Sequence, residues 1–368
     1  MAAVYGRLPQ TAVRPCPRSV SAFALRRTGR LAVNGRTSAF APGASRQREV
    51  PPFSVIVPVH DKARHVESAI RSVLEQTLPS FELIIVDDAS TDGSREIVDA
   101  IDDSRIRRQY RDTPGPGGYA ARNLGISVAR GAWVTFLDAD DTWASDRLER
   151  LSAMIRSFPD ADLHACAWLV AAREGPSWPN RYARRHGARG AHAVALSDYL
   201  TSLRRNEPVI HTDTVAIRRA ALPDADVFPA GQGVRRGGDV YAWLRLMCRV
   251  RWLVWSSHIG ATYYTDSDNM VTRRVPSQGY VLSRERLEPL AAELTPPERR
   301  LLRSTANGMI WRSWLGNALR GSPGFALPGR LFWRGAFWQA LLLSVGSSVP
   351  PAVIRLARRL AKLSCPRG

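Results

Sequence analysis

The sequence predicts an α/β protein: a doubly wound, mostly parallel sheet followed by a helical carboxy-terminal extension. Three observations predict it. Between residues 53 and 137 short apolar runs alternate with segments of helical spacing, as in parallel sheets built from strand–helix units. Two of those runs end in acidic clusters, at the strand ends where such sheets bind ligands. Near the carboxy terminus Val353, Leu356, Ala357 and Leu360 repeat at i, i+3, i+4 and i+7.

The elements follow in order. Phe53–Val59 is a short apolar run bounded by polar residues and reads as a buried strand. Val66, Ala69, Ile70, Val73 and Leu74 place a helix within 63–76. Phe81–Val86 reads as a second strand, running into Asp87 and Asp88. A short helix follows the turn at Asp92–Gly93, then a weaker strand from Ile106 to Tyr110. The Gly/Pro loop 113–118 leads to a helix over about 120–129. Trp133–Leu137 is a further strand, ending in Asp138-Ala139-Asp140-Asp141. Leu163–Ala171 and Thr212–Ile217 read as strands. Residues 173–192 read as a basic loop, which covers a site, contacts an anionic acceptor or is simply solvated.

The chain has 368 residues, 52 Lys+Arg against 33 Asp+Glu, and a net charge of +19. That charge invites a nucleic-acid reading, and its distribution counts against one. Residues 1–50 carry nine Arg and one acid, for +8; residues 299–368 carry eleven Arg, Lys362 and no acid, for +12; the middle sums to −1. The first fifty residues lack hydrophobic periodicity and read as a disordered basic leader, superficially like a transit peptide, or as sequence upstream of the true start. Only Lys62 and Lys362 are lysines, a skew that suits a GC-rich genome. The four cysteines lie far apart, without metal-ligand spacing. No apolar run reaches the 18 residues of a membrane span.

Each acidic cluster has two readings. Asp138 and Asp140 point to one side of an extended segment and offer hard oxygen donors suited to Mg²⁺ or Mn²⁺. They equally suit the start of a helix, where Asp141 or Ser145 would cap. Asp87 and Asp88 either accept hydrogen bonds from a nucleoside or cap the helix after Gly93. The loop 115–118 lacks a phosphate-loop pattern, and no G-x-G-x-x-G follows a strand, which disfavours a P-loop enzyme and a dehydrogenase.

The series is more specific than its parts. SVIVPVH from Ser54, Gln76-Thr77, ELIIVDDAS from Glu82, ARNLG from Ala121 and FLDADD from Phe136 together resemble the family 2 glycosyltransferases. The resemblance runs from about Phe53 to Leu151 and returns near Arg235–Leu246. It implies the GT-A fold, in which a Rossmann-like nucleotide-binding half merges with an acceptor half. It also implies inverting transfer of a sugar from a nucleotide diphospho-sugar. Pro58 and His60 match positions lining the nucleobase pocket, and Asp88 the carboxylate that contacts the nucleoside. Asp138 and Asp140 match the D-x-D motif that holds a divalent cation, Mn²⁺ or Mg²⁺, on the diphosphate. Arg122 matches a position beside the nucleotide, where it either faces the diphosphate or forms an ion pair. Asp239 matches the catalytic base, although Gly238 stands where the family usually has a second acid. Asp239 could equally cap the helix that follows.

Cys248-Arg249-Val250-Arg251-Trp252 departs from the Q-x-x-R-W motif of processive members and lies close to Asp239, so transfer of one sugar is expected. The expected division is a leader over 1–50, a catalytic domain over 51–280 and a helical, basic region over 281–368. In that last region Arg355, Arg358, Arg359 and Lys362 share a helix face, behind a stretch rich in Trp, Phe and Arg. It suits an anionic membrane surface, with self-packing or dimerisation as the competing reading. The expected partners are a UDP-sugar, a carbohydrate or lipid-linked acceptor and the inner face of the plasma membrane, with no nucleic acid. A catalytically idle membrane scaffold of the same fold is the other class of function.

Overall fold

A computed structural model describes residues 52–353, apart from 224–225, 232, 271–274, 277–281, 321–325, 349 and 351. The basic leader and the carboxy-terminal amphipathic repeat beyond Val353 lie outside the described residues.

Chain order is β1 (Phe53–Val59), α1 (Val66–Leu74), β2 (Glu82–Asp88), α2 (Ser94–Ala100), β3 (Ile106–Arg111), α3 (Tyr119–Val128), β4 (Trp133–Phe136) and β5 (Thr142–Trp143). Next come α4 (Arg147–Ser157), β6 (Leu163–Ala171), β7 (Ser177–Pro179), α5 (Arg181–His186), β8 (His192–Ala195), α6 (Leu196–Arg204) and β9 (Val215–Arg218). The chain continues through α7 (Gly238–Val250), β10 (Trp252–Tyr264), α8 (Arg284–Ala292), α9 (Pro296–Arg320) and α10 (Phe337–Ser347).

One sheet runs β3-β2-β1-β4-β9-β6-β10-β5, with β7 paired to β6 and β8 to β10. The expected parallel character holds for β3-β2-β1-β4. Beyond β4 the sheet is mixed: β9 is antiparallel to both β4 and β6, while β6 and β10 are parallel. The helical crossovers that enforce parallel pairing link β1, β2, β3 and β4. β9 instead follows a loop and turns back between β4 and β6.

Period-two alternation divides each central strand between two cores. Val55, Val57, Leu83 and Ile85 pack under α1 and α4 with Ile70, Val73 and Leu148. Ile56, Ile84 and Phe136 face the other way, toward α3, α6, α7 and α9, where Trp243, Leu200 and Leu302 join them. On α3, Gly125 lets the helix lie close on β1, since a Cβ there would sit 2.5 Å from an Ile56 methyl.

The basic stretch 173–192 is more ordered than a loop. It holds β7 and α5, anchored by buried Tyr182, whose ring meets Trp255 edge-on. Thr212–Ile217 is not one strand: Thr212–Thr214 is a 3₁₀ turn before β9.

His164 on β6 is fully buried beside Trp133. Burial, then the charge of Arg218, pushes its pKa down to about 4. The unfolded chain has the ordinary value near 6.5, so it takes up a proton first as the pH falls. The stability His164 supplies is therefore complete above pH 6.5 and is lost toward pH 4. The loss expected is about 3 kcal/mol. Denaturant melts at pH 7 and pH 4.5 should show a steeper loss for the wild type than for His164→Phe.

Candidate active site

Because β1, β2 and β4 are parallel, their carboxyl ends open on one edge of the sheet. A cavity of about 620 Å³ lies there, a size suited to a nucleotide-sized ligand. Pro58, His60, Asp88, Arg122, Asp138, Asp140 and Asp239 all line it. The structure thus brings together every site residue expected from the sequence, from the ends of three strands and two helices.

Asp88, at the end of β2, does not cap α2. Its carboxylate accepts the Gly115 N–H at 3.0 Å and pairs with Arg111, which ties the Gly/Pro loop to the cavity wall. Asp92 takes the local role instead, accepting the Ser94 N–H at 3.0 Å. His60 places Nδ1 2.8 Å from the Asp88 carbonyl oxygen, fixing the ring at the mouth of β1.

Beyond β4 the acidic cluster divides into two layers. Asp138 and Asp140 face the cavity; Asp141 is buried behind it and accepts the Tyr264 N–H at 2.8 Å. Neither Asp141 nor Ser145 caps α4, whose cap position is Asp146. Arg122, itself buried, donates to Asp138 from α3. The two sequence readings of Arg122 are therefore compatible, since it lines the cavity and forms an ion pair. Lys62 donates to Asp140 at 2.7 Å and to the Asp268 carbonyl at 2.7 Å. Each cavity carboxylate at the strand ends is thus met by a cation, which limits the cost of gathering negative charge in one place.

Asp213 was not legible as a site residue. The 3₁₀ turn buries it completely, and it accepts the Asp138 N–H at 2.8 Å while pairing with His211 at 3.0 Å. Burial opposes charge on His211, but Asp213 outweighs it and raises the imidazole pKa. Burial and then Asp213 push the Asp141 carboxyl well above the usual carboxylate range. Burial, with Asp213 and Asp140, also raises Asp138 against the pull of Arg122. Asp138, Asp141 and Asp213 bring carboxylate oxygens within 4.8 Å of one another, a set able to hold a metal ion. Of these only Asp138 lines the cavity, where a diphosphate could share the ion.

Asp239 lies in the first turn of α7 across the cavity. Gly237 occupies the cap position with a left-handed φ of 83°, and no side chain caps this helix, so Asp239 is not the cap. The missing acid at Gly238 has a steric cause: a Cβ there would lie 2.7 Å from the Tyr119 ring and 2.8 Å from Pro229. The Tyr119 hydroxyl accepts the Gly238 N–H at 2.8 Å. Burial and then the charge of Asp239 raise the Tyr119 pKa, so this hydroxyl stays neutral. Tyr119 and Lys62 were both missed in the sequence. Lys62 left one signal, as the sole lysine of the middle of an Arg-rich chain.

The family profile "Glycosyl transferase family 2" matches residues 54–224. These residues form a family 2 glycosyltransferase domain. Asp239 lies beyond the matched stretch of the domain. Glycosyltransferase GlyG of Streptococcus pneumoniae is 38% identical over 113 residues, 30% of this chain and 37% of that relative. The UDP-Glc:alpha-D-GlcNAc-diphosphoundecaprenol beta-1,3-glucosyltransferase WfgD of Escherichia coli is 35% identical over 105 residues, 28% of this chain and 41% of that relative. The matched stretches thus span about two fifths of these relatives' length. Among solved structures, TarS 1-349 of S. aureus in complex with UDP-GlcNAc superposes with a TM-score of 0.59 at 17% identity. The likeness covers 84% of this chain and 92% of that one, and the shared fold is GT-A.

Proposed function

We propose that the protein is an inverting glycosyltransferase that moves one sugar from a UDP-sugar to a hydroxyl of a lipid-linked or oligosaccharide acceptor in bacterial surface-polysaccharide synthesis. The observation that carries the proposal is the placement of Asp88, Asp138 and Asp140 at the ends of the two strands that flank β1, on the wall of one cavity with Asp239. UDP-GlcNAc in the TarS complex and the donor and acceptor named for WfgD support the choice of substrates.

In this proposal Pro58 and His60 flank the base and Asp88 orients the nucleoside. Asp138 and Asp140 fit a divalent cation, since both reach the cavity and offer hard oxygen donors. When bound, Mg²⁺ or Mn²⁺ offsets the charge that develops on the departing diphosphate. Arg122, held against Asp138, adds positive charge to the same wall. Asp239 takes the acceptor hydroxyl's proton as the new bond to the anomeric carbon forms and the bond to the diphosphate breaks. We assign catalysis to residues 51–280 and attachment to the inner face of the plasma membrane to 281–368. Among the described residues no helix is long and apolar enough to cross a membrane.

A panel of nucleotide sugars screened by thermal shift tests the donor. A ligand specific to the native state raises the midpoint, by about 2.7 kcal/mol of stability at one hundred times its Kd. A UDP-sugar should do so more strongly with Mn²⁺ than without. A chain that responds to none of the panel overturns the proposal.

A further inference from the structure

Helix α10 turns an apolar face outward. Its residues Trp338, Leu342 and Val345, spaced i, i+4 and i+7, form one stripe and are 74%, 71% and 63% exposed. Phe337 at the edge of that stripe is 52% exposed. The opposite face, toward the protein, packs Ala340 and Leu343 on the core and carries Gln339 and Ser344 beside them. Gln339 donates to the Ser304 carbonyl of α9 at 3.1 Å, while its Oε1 and the Ser344 hydroxyl are buried without a hydrogen-bond partner. A surface helix of a water-soluble domain instead solvates a polar face. The arrangement makes sense where the outer medium is itself apolar.

We infer that α10 lies in the plane of an anionic lipid bilayer, with Trp338, Leu342 and Val345 inserted at the headgroup–acyl boundary. Its 11 residues extend only about 16 Å, half of what crossing the hydrocarbon requires. Trp338 meets Phe337 edge-on at 5.4 Å, and Phe337 in turn meets Trp333. Such aromatic groups are favoured at membrane interfaces. Charge selects the occupant. Residues 299–368 carry twelve cations and no acid, and Arg334 next to α10 is exposed. A second copy would oppose one cation-rich segment with another, whereas anionic lipid attracts it by about 1 kcal/mol per cation near the surface.

The helix also has a defined bearing on the cavity. Gln339 lies at Ser304 and Gly346 against Trp311, so α10 runs parallel to α9. The far end of α9 carries Arg320, whose charge acts on Arg236 in the cavity wall. A bilayer under α10 would thus run beside α9, whose far end nears the cavity wall at Arg236. This extends the lipid-linked acceptor proposed above.

The test is sedimentation of the full chain with phosphatidylcholine vesicles containing 30% phosphatidylglycerol. The wild type should pellet, and Trp338→Ser/Leu342→Ser should partition at least tenfold less, with an unchanged melting temperature because both side chains are exposed. Equal partitioning of the two, or a wild type left in the supernatant, overturns the inference. So does a wild-type dimer that the same substitutions dissociate. The assay involves no sugar transfer, so a chain that binds vesicles yet transfers nothing would overturn the enzymatic proposal alone.

Discussion

Asp239→Asn should lower sugar transfer by a hundredfold to ten-thousandfold, roughly the range for loss of a positioned general base. Donor affinity and melting temperature should stay near wild type. The expectation is sharp because the helix cap is Gly237, so the substitution takes no hydrogen bond from the end of α7. Asn keeps the size of the side chain and cannot take the acceptor's proton. Loss should fall on kcat with little change in KM for the donor, since Asp239 is assigned no ground-state contact with it. A variant with near wild-type turnover would remove Asp239 from the role of base and leave the fold assignment untouched.

The second large effect is expected at the D-x-D pair, where two substitutions separate binding from folding. Asp138→Asn and Asp140→Asn should each abolish the strengthening of donor binding by Mn²⁺. They differ in the free protein. Asp138 holds the buried Arg122, so its neutralisation leaves a guanidinium poorly matched and should cost about 1–3 kcal/mol. Asp140 holds Lys62, which keeps the Asp268 carbonyl as a partner, so its neutralisation should cost under about 1 kcal/mol. Thermal melts with and without Mn²⁺ and donor read both quantities. Equal melting of the two free variants would contradict the difference between their partners, a buried Arg122 against a Lys62 that keeps a second acceptor.

The parts of the fold governed by local pattern were legible. β1 and β6 match their apolar runs residue for residue, and α7 ends at Val250 before β10, where Arg251 adopts a left-handed φ of 73°. What failed depended on distant residues. Thr212–Ile217 has the composition of a strand, but Asp213 is drawn into a turn by the Asp138 N–H and His211. The basic stretch 173–192 carries no clear period, yet Tyr182 finds a core position under Trp255 and orders α5. The change to mixed pairing beyond β4 is a matter of chain return, which hydrophobic period does not encode.

The site shows the same division. Pro58, His60, Asp88, Arg122, Asp138, Asp140 and Asp239 were found as motif positions, and all reach one cavity. Tyr119, Lys62 and Asp213 belong to no motif and act by supporting those that do. Tyr119 explains why Gly238 replaces an acid, and Asp213 explains what holds the Asp138 backbone.

The most direct measurement is hydrolysis of a UDP-sugar by the full chain without acceptor, with Mn²⁺ and then with excess chelator. Slow release of UDP is expected with the metal, stopped by the chelator and by Asp138→Asn. UDP release unaffected by either, or none from any nucleotide sugar, would contradict metal-assisted use of a nucleotide diphospho-sugar in this cavity.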